Sequence, residues 1–383
     1  ALGVPVLLGS ATPSLESLAN VEAGRYRRLV LSTRPLARPP PTVHVLDLRG
    51  PHPRDGLSPA LLHALDTCLE QSGQALVFRN RRGYAPALLC HACGWQAQCP
   101  ACDRPLTLHA GNARLICHHC GRRERAPPAC PKCGYSDLHR RGFGTERLEQ
   151  ALTARYPTLP VIRVDSETTQ RRNAFEQLLA QLDDGGAAIL VGTQMLAKGH
   201  DLPGLTLVAI SGVDEGLFSV DFRAAEKLAQ LIVQVGGRAG RADTPGTVML
   251  QTHLPEHPLL ATLLTRGYGA LAVQLLAERR QLKLPPYSHQ ALLRAQAPTQ
   301  ALLDGFLDAA AAAIPITPGL RHYGPLPAPM PRRAGQLRGQ ILLEADQRGS
   351  LRQTLDPWHA WLHAQRPPRT LRWSLDVDPI DLY

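Results

Sequence analysis

Lysine is scarce in this chain. It supplies only four of the 42 basic residues: Lys132, Lys198, Lys227 and Lys283. None of the four follows a glycine, so the string G-x-x-x-x-G-K-[ST] is absent. A phosphate-binding loop needs that lysine beside the backbone amides of a Gly-rich turn. The chain by itself is therefore expected not to hydrolyse ATP. Arginine makes up the rest of the positive charge. Its fork suits phosphate, although an arginine-heavy proteome produces the same count. No apolar run approaches the length needed to span a membrane. The opening Ala1–Leu8 stretch is apolar but lacks the basic n-region of a secretory signal, and the chain does not begin with Met. A segment starting inside a larger protein is expected. Nothing signals export, which argues against a disulfide framework. Disorder is excluded by 44% hydrophobic and 19% charged content. The 383 residues suffice for two or three domains with their own cores.

Cysteine is what the chain does have. Eight of nine cysteines fall between Cys90 and Cys133, as four C-x₂-C pairs: Cys90/Cys93, Cys99/Cys102, Cys117/Cys120 and Cys130/Cys133. A C-x₂-C turn aims two thiolates at one point, and two turns complete the S₄ tetrahedron that Zn²⁺ prefers. Four turns make two zinc sites; iron–sulfur ligation is the competing use of Cys₄ sets. Three ways of pairing the pairs remain. The long gap between Cys102 and Cys117 suits a zinc-ribbon hairpin, and the gap between Cys93 and Cys99 is tight for one. Spacing thus favours a nested arrangement, second pair with third and first with fourth. Cys68, on the apolar side of an expected helix, reads as a small core residue. Eight thiolates and two Zn²⁺ lower the formal charge of +10 to about +6, still a basic balance that fits a nucleic-acid partner. Residues 90–141 hold eight Arg/Lys and three Asp/Glu, an excess that two Zn(Cys)₄ sites at about −2 each largely cancel. The cysteine block is expected to act by shape, as a wedge or strand guide, more than as a phosphate patch.

Along the chain, Val4–Leu8 reads as a buried strand, residues 15–23 as a helix, and the proline-rich 35–41 as a linker. Val43–Leu48 reads as a strand. Ser58-Pro59 is an N-cap with proline at the first helical position, opening a helix that stops at Gly73. Strands over 74–78, 161–164, 187–191, 205–211 and 247–252 alternate with helices over 145–155, 168–182 and 221–235. That alternation predicts a parallel sheet with crossover helices. The cysteine block interrupts it as an insertion. Leu284-Pro-Pro286 marks the next boundary. Beyond it come strands near 291–297, 340–344 and 370–377, helices near 300–313 and 350–363, and a Pro/Arg-rich loop over 325–333. The expected domains are 1–53, the end of a preceding lobe with its linker; 54–282, an α/β lobe carrying the insertion 88–138; and 283–383, a small α/β domain.

Three strings carry the chemistry. Gln234-Val-Gly-Gly-Arg-Ala-Gly-Arg241 sets Arg238 and Arg241 three apart among glycines that allow close backbone approach, a phosphate clamp. Gly192–Asp201 follows a strand and offers Thr193 to a backbone phosphate and Asp201 to a ribose hydroxyl. Gly9-Ser-Ala-Thr-Pro-Ser14 follows the first strand. In this order they resemble motifs VI, V and III, read backwards, of superfamily 2 helicases. With Phe78–Pro86, the cysteine pairs, Gly142–Arg147, Asp221-Phe-Arg223 and Asp376-Val-Asp-Pro379, the whole chain resembles the primosomal protein N′ (PriA) family of bacterial replication-restart helicases.

The resemblance implies a RecA-like second helicase lobe with an inserted two-zinc module in the nested pairing, plus a small C-terminal α/β domain. It implies an ATP-dependent 3′→5′ DNA helicase that recognises abandoned replication forks, remodels them and directs loading of the replicative helicase. ATP/Mg²⁺ belongs to the whole protein. Arg238 and Arg241 correspond to arginine fingers facing the γ-phosphate, Gln234 to the residue holding their geometry, and Asp201 and Gly199 to nucleotide contacts. Thr193 corresponds to a DNA-backbone contact, and Ser10, Ala11 and Thr12 to the coupling of hydrolysis to lobe movement. Lys198 stands where arginine is more usual outside the family. Asp214-Glu215 imitates an acidic Walker B pair but lies in the second lobe, and reads as a decoy. The family keeps its P-loop upstream of Ala1. Implied partners are branched and single-stranded DNA, single-stranded-DNA-binding protein, and primosome and helicase-loading proteins, in the bacterial cytoplasm at the nucleoid, with no membrane. The competing reading is an ATP-independent fork-binding scaffold. Finally, Arg332, Arg333 and Arg338 form a short basic run expected to bind fork phosphates or an acidic peptide, with a solvated loop as the plain alternative.

Overall fold

The computed structural model describes residues 4–382 except 32–39, 50–55, 81–87, 89, 91, 101–105, 110–113, 117–121, 137, 139–144, 165–185, 193–201, 203, 220, 241–245 and 334. The expected helix over 168–182 lies outside the described residues. Three of the short strands read from the sequence, Gln74–Arg79 (β2), Ala188–Gly192 (β7) and Leu205–Ser211 (β8), are apolar along almost their whole length because both faces of their sheet are covered. They form the centre of a six-stranded sheet with Thr42–Asp47 (β1), Val161–Val164 (β6) and Thr247–Thr252 (β9). Its order is β1-β9-β8-β2-β7-β6 and every pairing is parallel. The expected division at residue 54 separates β1 from the lobe, whereas its pairing with β9, Thr42 opposite Thr247 through Asp47 opposite Thr252, makes it an edge strand of this sheet.

Helices Pro59–Glu70 (α2) and Thr145–Arg155 (α3) cover one face of the sheet. Ser58 caps α2, its hydroxyl accepting from the Leu61 N–H at 3.2 Å. Leu61, Leu65, Leu148 and Leu152 bury themselves against Ala75, Val77, Ile189 and Val191. Cys68 is a core residue of this layer, 3.3 Å from Thr206 Oγ1, and burial raises its thiol pKa. The other face is covered by Leu15–Glu22 (α1), Ala224–Gly236 (α5) and Pro258–Gln281 (α6). A short helix, Val213–Leu217 (α4), follows β8.

Helix α6 corrects the expectation that no membrane-length apolar stretch exists. By length and composition its 24 residues could cross a bilayer. Here its chain kinks at Gly267 (φ 78°, ψ 175°), and Leu260, Leu263, Leu271, Ala272 and Leu276 are in the core. A core helix passes the same test.

The cysteine block folds as an insertion with its own small core of Leu88, Ala97, Leu106, Leu115, Ala126 and Leu138 beside the thiols. Strands Thr107–His109 (β3), Arg114–Ile116 (β4) and Arg123–Arg125 (β5) form an antiparallel ribbon in that order. Gln96 Nε2 ties the block to the lobe, donating to the Phe218 carbonyl at 3.2 Å.

The C-terminal domain is a four-stranded antiparallel sheet ordered β11-β12-β10-β13: Leu320–Arg333 (β11), Gln336–Ala345 (β12), His289–Ala297 (β10) and Arg372–Val377 (β13). Helices Gln300–Ala312 (α7) and Arg348–Ala364 (α8) pack on the face bearing Ala291, Leu293, Ala295, Ile341 and Leu343. Trp358 is fully buried there and donates its indole N–H to the Ala310 carbonyl at 2.8 Å. The expected loop over 325–333 is instead part of β11. Pro325, Pro327, Pro329 and Pro331 fall at every second position, so in extended chain they remove donors from one side only. An edge strand needs donors on one side only. The register slips between Tyr323 and Leu326 and between Pro327 and Arg332 absorb the misfit.

Candidate functional site

Helix α5 carries Glu226, Gln230 and Gln234 four residues apart, hence on one face. The segment 10–16 lies along that face. Gln234 Nε2 donates to Thr12 Oγ1 at 3.0 Å. Gln230 Nε2 lies 3.3 Å from the Thr12 carbonyl, 3.3 Å from Glu226 Oε1 and 3.2 Å from the Tyr268 hydroxyl. Tyr268 donates to the Pro13 carbonyl at 2.8 Å, and burial pushes its phenol up to about 12, so it stays a donor. Glu226 Oε1 accepts from the Leu15 N–H at 2.9 Å, while Oε2 accepts from Arg279 Nη2 at 2.7 Å. Arg279 also reaches Glu16, which pairs with Arg223, and both guanidiniums lie over the Phe222 ring at about 5 Å. Within the segment, Ser10 Oγ accepts from the Thr12 N–H at 3.1 Å, and Ala11 lies between them on the surface.

Of the residues expected at the nucleotide, two are described. Gln234 contacts Thr12 as above. Arg238 sits just past the end of α5, 5% exposed, with its N–H donated to Val235 at 3.1 Å. The next residues are locked to the sheet, Gly240 donating to the Leu205 carbonyl at 2.9 Å. Thr193, Gly199, Asp201 and Arg241 lie outside the described residues. So does Lys198.

Asp214 has a structural use. It accepts from Thr252 Oγ1, from the His253 N–H at 3.2 Å and approaches His253 Nδ1 at 2.6 Å. Glu215 pairs with Arg79; burial raises its pKa, with Arg79 opposing and Asp214 adding to the rise. Both carboxylates are thus engaged in holding β2, α4 and β9 together.

The set able to hold a metal ion is Cys90, Cys93, Cys130 and Cys133. Their four sulfurs lie within 4.8 Å of one another, with Cys90 to Cys133 at 3.5 Å and Cys93 to Cys130 at 3.6 Å. Zn–S bonds of about 2.3 Å in a tetrahedron place sulfurs about 3.8 Å apart, so the donor set fits Zn²⁺. The two turns are built alike. Gly94 and Gly134 each donate to the carbonyl of the first cysteine at 2.9 Å, and Cys90 and Cys130 each donate to the aromatic residue five on, Trp95 and Tyr135, at 2.7 Å. Both glycines have positive φ, 72° and 76°, a conformation that side chains resist. At Cys130, burial raises the thiol pKa, but N–H donors from Cys133 and Lys132 outweigh it and bring it to about 7. This is the first-with-fourth pairing that spacing favours. Cys99 is buried in the same small core, and Cys102, Cys117 and Cys120 lie outside the described residues.

Among the C-terminal arginines, Arg332 is exposed at the end of β11 and Arg338 lies in β12 opposite Gln296. Arg333 closes β11. Sequence reasoning missed Glu226, Gln230, Tyr268, Arg279 and Glu16. The four-residue spacing of Glu226, Gln230 and Gln234 was the available signal; the partners come from distant segments.

The fold and site have clear relatives. Residues 141–243 match the helicase conserved C-terminal domain, residues 99–125 the PriA DNA helicase Cys-rich region, and residues 280–380 the primosomal protein N C-terminal domain. The replication restart protein PriA of Haemophilus influenzae is 47% identical over 385 residues, covering 100% of this chain and 52% of that protein. Its Bacillus subtilis counterpart is 42% identical over 76% of this chain and 36% of its own length. That of Synechocystis is 37% identical over 99% and 46%. The chain thus spans about half the length, or less, of these curated relatives. With an α/β helicase lobe, a Cys₄ cluster and matches along its whole length, the chain belongs to the PriA replication-restart family.

Proposed function

We propose that this chain supplies the second helicase lobe, zinc module and C-terminal domain of an ATP-driven DNA helicase that binds and remodels abandoned replication forks. In this reading Arg238 and Arg241 stabilise charge on the transferring phosphoryl group, Gln234 holds their geometry, and Asp201 and Gly199 meet the nucleotide. Thr193 contacts the DNA backbone, and Ser10, Ala11 and Thr12 couple hydrolysis to lobe movement. Two Zn²⁺ ions brace the insertion, the second held by Cys99, Cys102, Cys117 and Cys120; the metal supplies folding energy there. Arg332, Arg333 and Arg338 engage fork phosphates or the acidic tail of single-stranded-DNA-binding protein. Primosome and helicase-loading proteins are the further partners, in the bacterial cytoplasm at the nucleoid.

The observation that carries the reading is the 3.0 Å contact from Gln234 Nε2 to Thr12 Oγ1. It joins the two strings that a coupled hydrolysis cycle must link. The test is DNA-stimulated ATP hydrolysis by the full-length protein. Arg238→Ala should lower turnover by about 10³-fold while fork binding and zinc content persist. Unchanged turnover overturns the arginine assignment. Fork binding by a wild-type protein that hydrolyses no ATP would establish the scaffold instead.

A further inference from the structure

The ribbon β3-β4-β5 sorts its side chains by the two-residue period of a strand. Leu115 is buried in the insertion core, and Glu124 stands opposite it in register. Arg114, Arg123 and Arg125 therefore share the other face, and all three are exposed. Arg114 pairs in register with Arg125, and Arg123 with Ile116. The ribbon's Glu124 is already occupied, accepting from Arg122 Nε at 2.6 Å. Among the described residues no carboxylate is paired with Arg114, Arg123 or Arg125.

Directly opposed like charges destabilise a strand pair, their Cβ atoms lying about 4.5–5.5 Å apart. A face so built is expected to have a use that offsets this cost. Cancellation of charge by zinc thiolates concerns the net charge of the block; it does not place an anion among these three guanidiniums. The position also leaves the face open. On one side β3 lies against β11, the strand that carries exposed Arg332 just before its last residue, Arg333. On the other, β5 is the free edge of the ribbon among the described strands.

We propose that Arg114, Arg123 and Arg125 form a phosphate-binding face that holds the backbone of one DNA strand against the insertion. Guanidinium forks engage phosphate oxygens in pairs, and successive phosphates match a row of arginines as a single carboxylate does not. The inference rests on the reading that the whole protein acts on forked DNA, and it replaces a purely steric role for the ribbon with an electrostatic one.

The experiment compares full-length wild type, R114A/R123A/R125A and R114K/R123K/R125K on a fluorescent synthetic fork across a salt series. Each lost phosphate contact should lower the slope of log affinity against log salt by about 0.7–0.9, so the alanine variant, losing three, should lose about two to three units of slope. The lysine variant should keep the slope. Zinc content should be unchanged in both, and relief of repulsion should leave the alanine variant's melting temperature equal or higher. An unchanged slope in the alanine variant overturns the proposal. Equal loss in the lysine variant, or loss of zinc with loss of binding, also overturns it by assigning the arginines a structural role. Wild type failing to bind the fork would instead overturn the function proposed above.

Discussion

Glu226 is 4% exposed, and a carboxylate so deeply placed survives only because its neighbours are donors. Arg279, equally buried, and the Leu15 N–H supply them. Removing one partner of such a pair leaves the other a poorly compensated buried charge; here Glu16, at 3.5 Å, is the carboxylate left beside Arg279 among the described residues. Glu226→Gln keeps the shape and should cost about 3–5 kcal/mol in denaturant unfolding. It should also free segment 10–16 from α5, seen as faster amide exchange at Leu15. A midpoint within error of wild type would show that the pair is dispensable. At the metal site the logic is stricter, because the ligand is also the fold. Cys93→Ser should remove one zinc per chain and melt the insertion; retention of full zinc content would mean that Cys93 is no ligand. Cysteine spacing displayed all four ligands of this site openly. The polar network of Glu226 could not be read in the same way, since Glu16, Leu15 and Arg279 reach it from segments more than 50 residues away in sequence.

At the scale of elements, the strands with both faces buried were legible from their unbroken apolar runs. The same signal at Val4–Leu8 misled: no strand forms there, and Val4, Val6, Leu7 and Leu8 are exposed. β11 was not legible, because proline spacing that suits an edge strand looks like a loop until the neighbouring strand is known. Helix α6 lay unread for a related reason: its start is capped by histidine, a less usual cap. His257 Nδ1 accepts from the Leu259 N–H at 3.2 Å, which requires the neutral ring. Burial lowers its pKa below the ordinary 6.5, with Asp214 opposing. The unfolded chain then binds the proton more readily than the folded one. Stability is therefore full above the unfolded value of 6.5 and falls as pH drops below it. Unfolding midpoints taken from about pH 7.5 down to about pH 5.5 should decline. His257→Asn, a good cap without that titration, should flatten the decline. An equally steep decline in His257→Asn would place the titration elsewhere.

Over the whole molecule the cores are separate. The sheet's two faces, the C-terminal domain and the insertion each bury their own set of side chains. Among the described residues the insertion's set is the smallest and includes the thiols themselves, so apolar burial alone is a poor support for it. The parallel lobe has no such dependence: β2, β7 and β8 are held by packing on both faces and by pairing with one another. Metal removal should accordingly divide the molecule. After chelation, amides of β3, β4 and β5 should exchange at rates close to those of an unfolded chain, because metal binding there is folding energy. Amides of β2, β7 and β8, and of β10 and β12 in the C-terminal domain, should keep their protection. Thermal unfolding of the chelated protein should retain the main transition. Simultaneous loss of protection in β2 and β8 would show that the insertion is an integral part of the lobe, with the contact from Gln96 to Phe218 as the first place to look for the coupling.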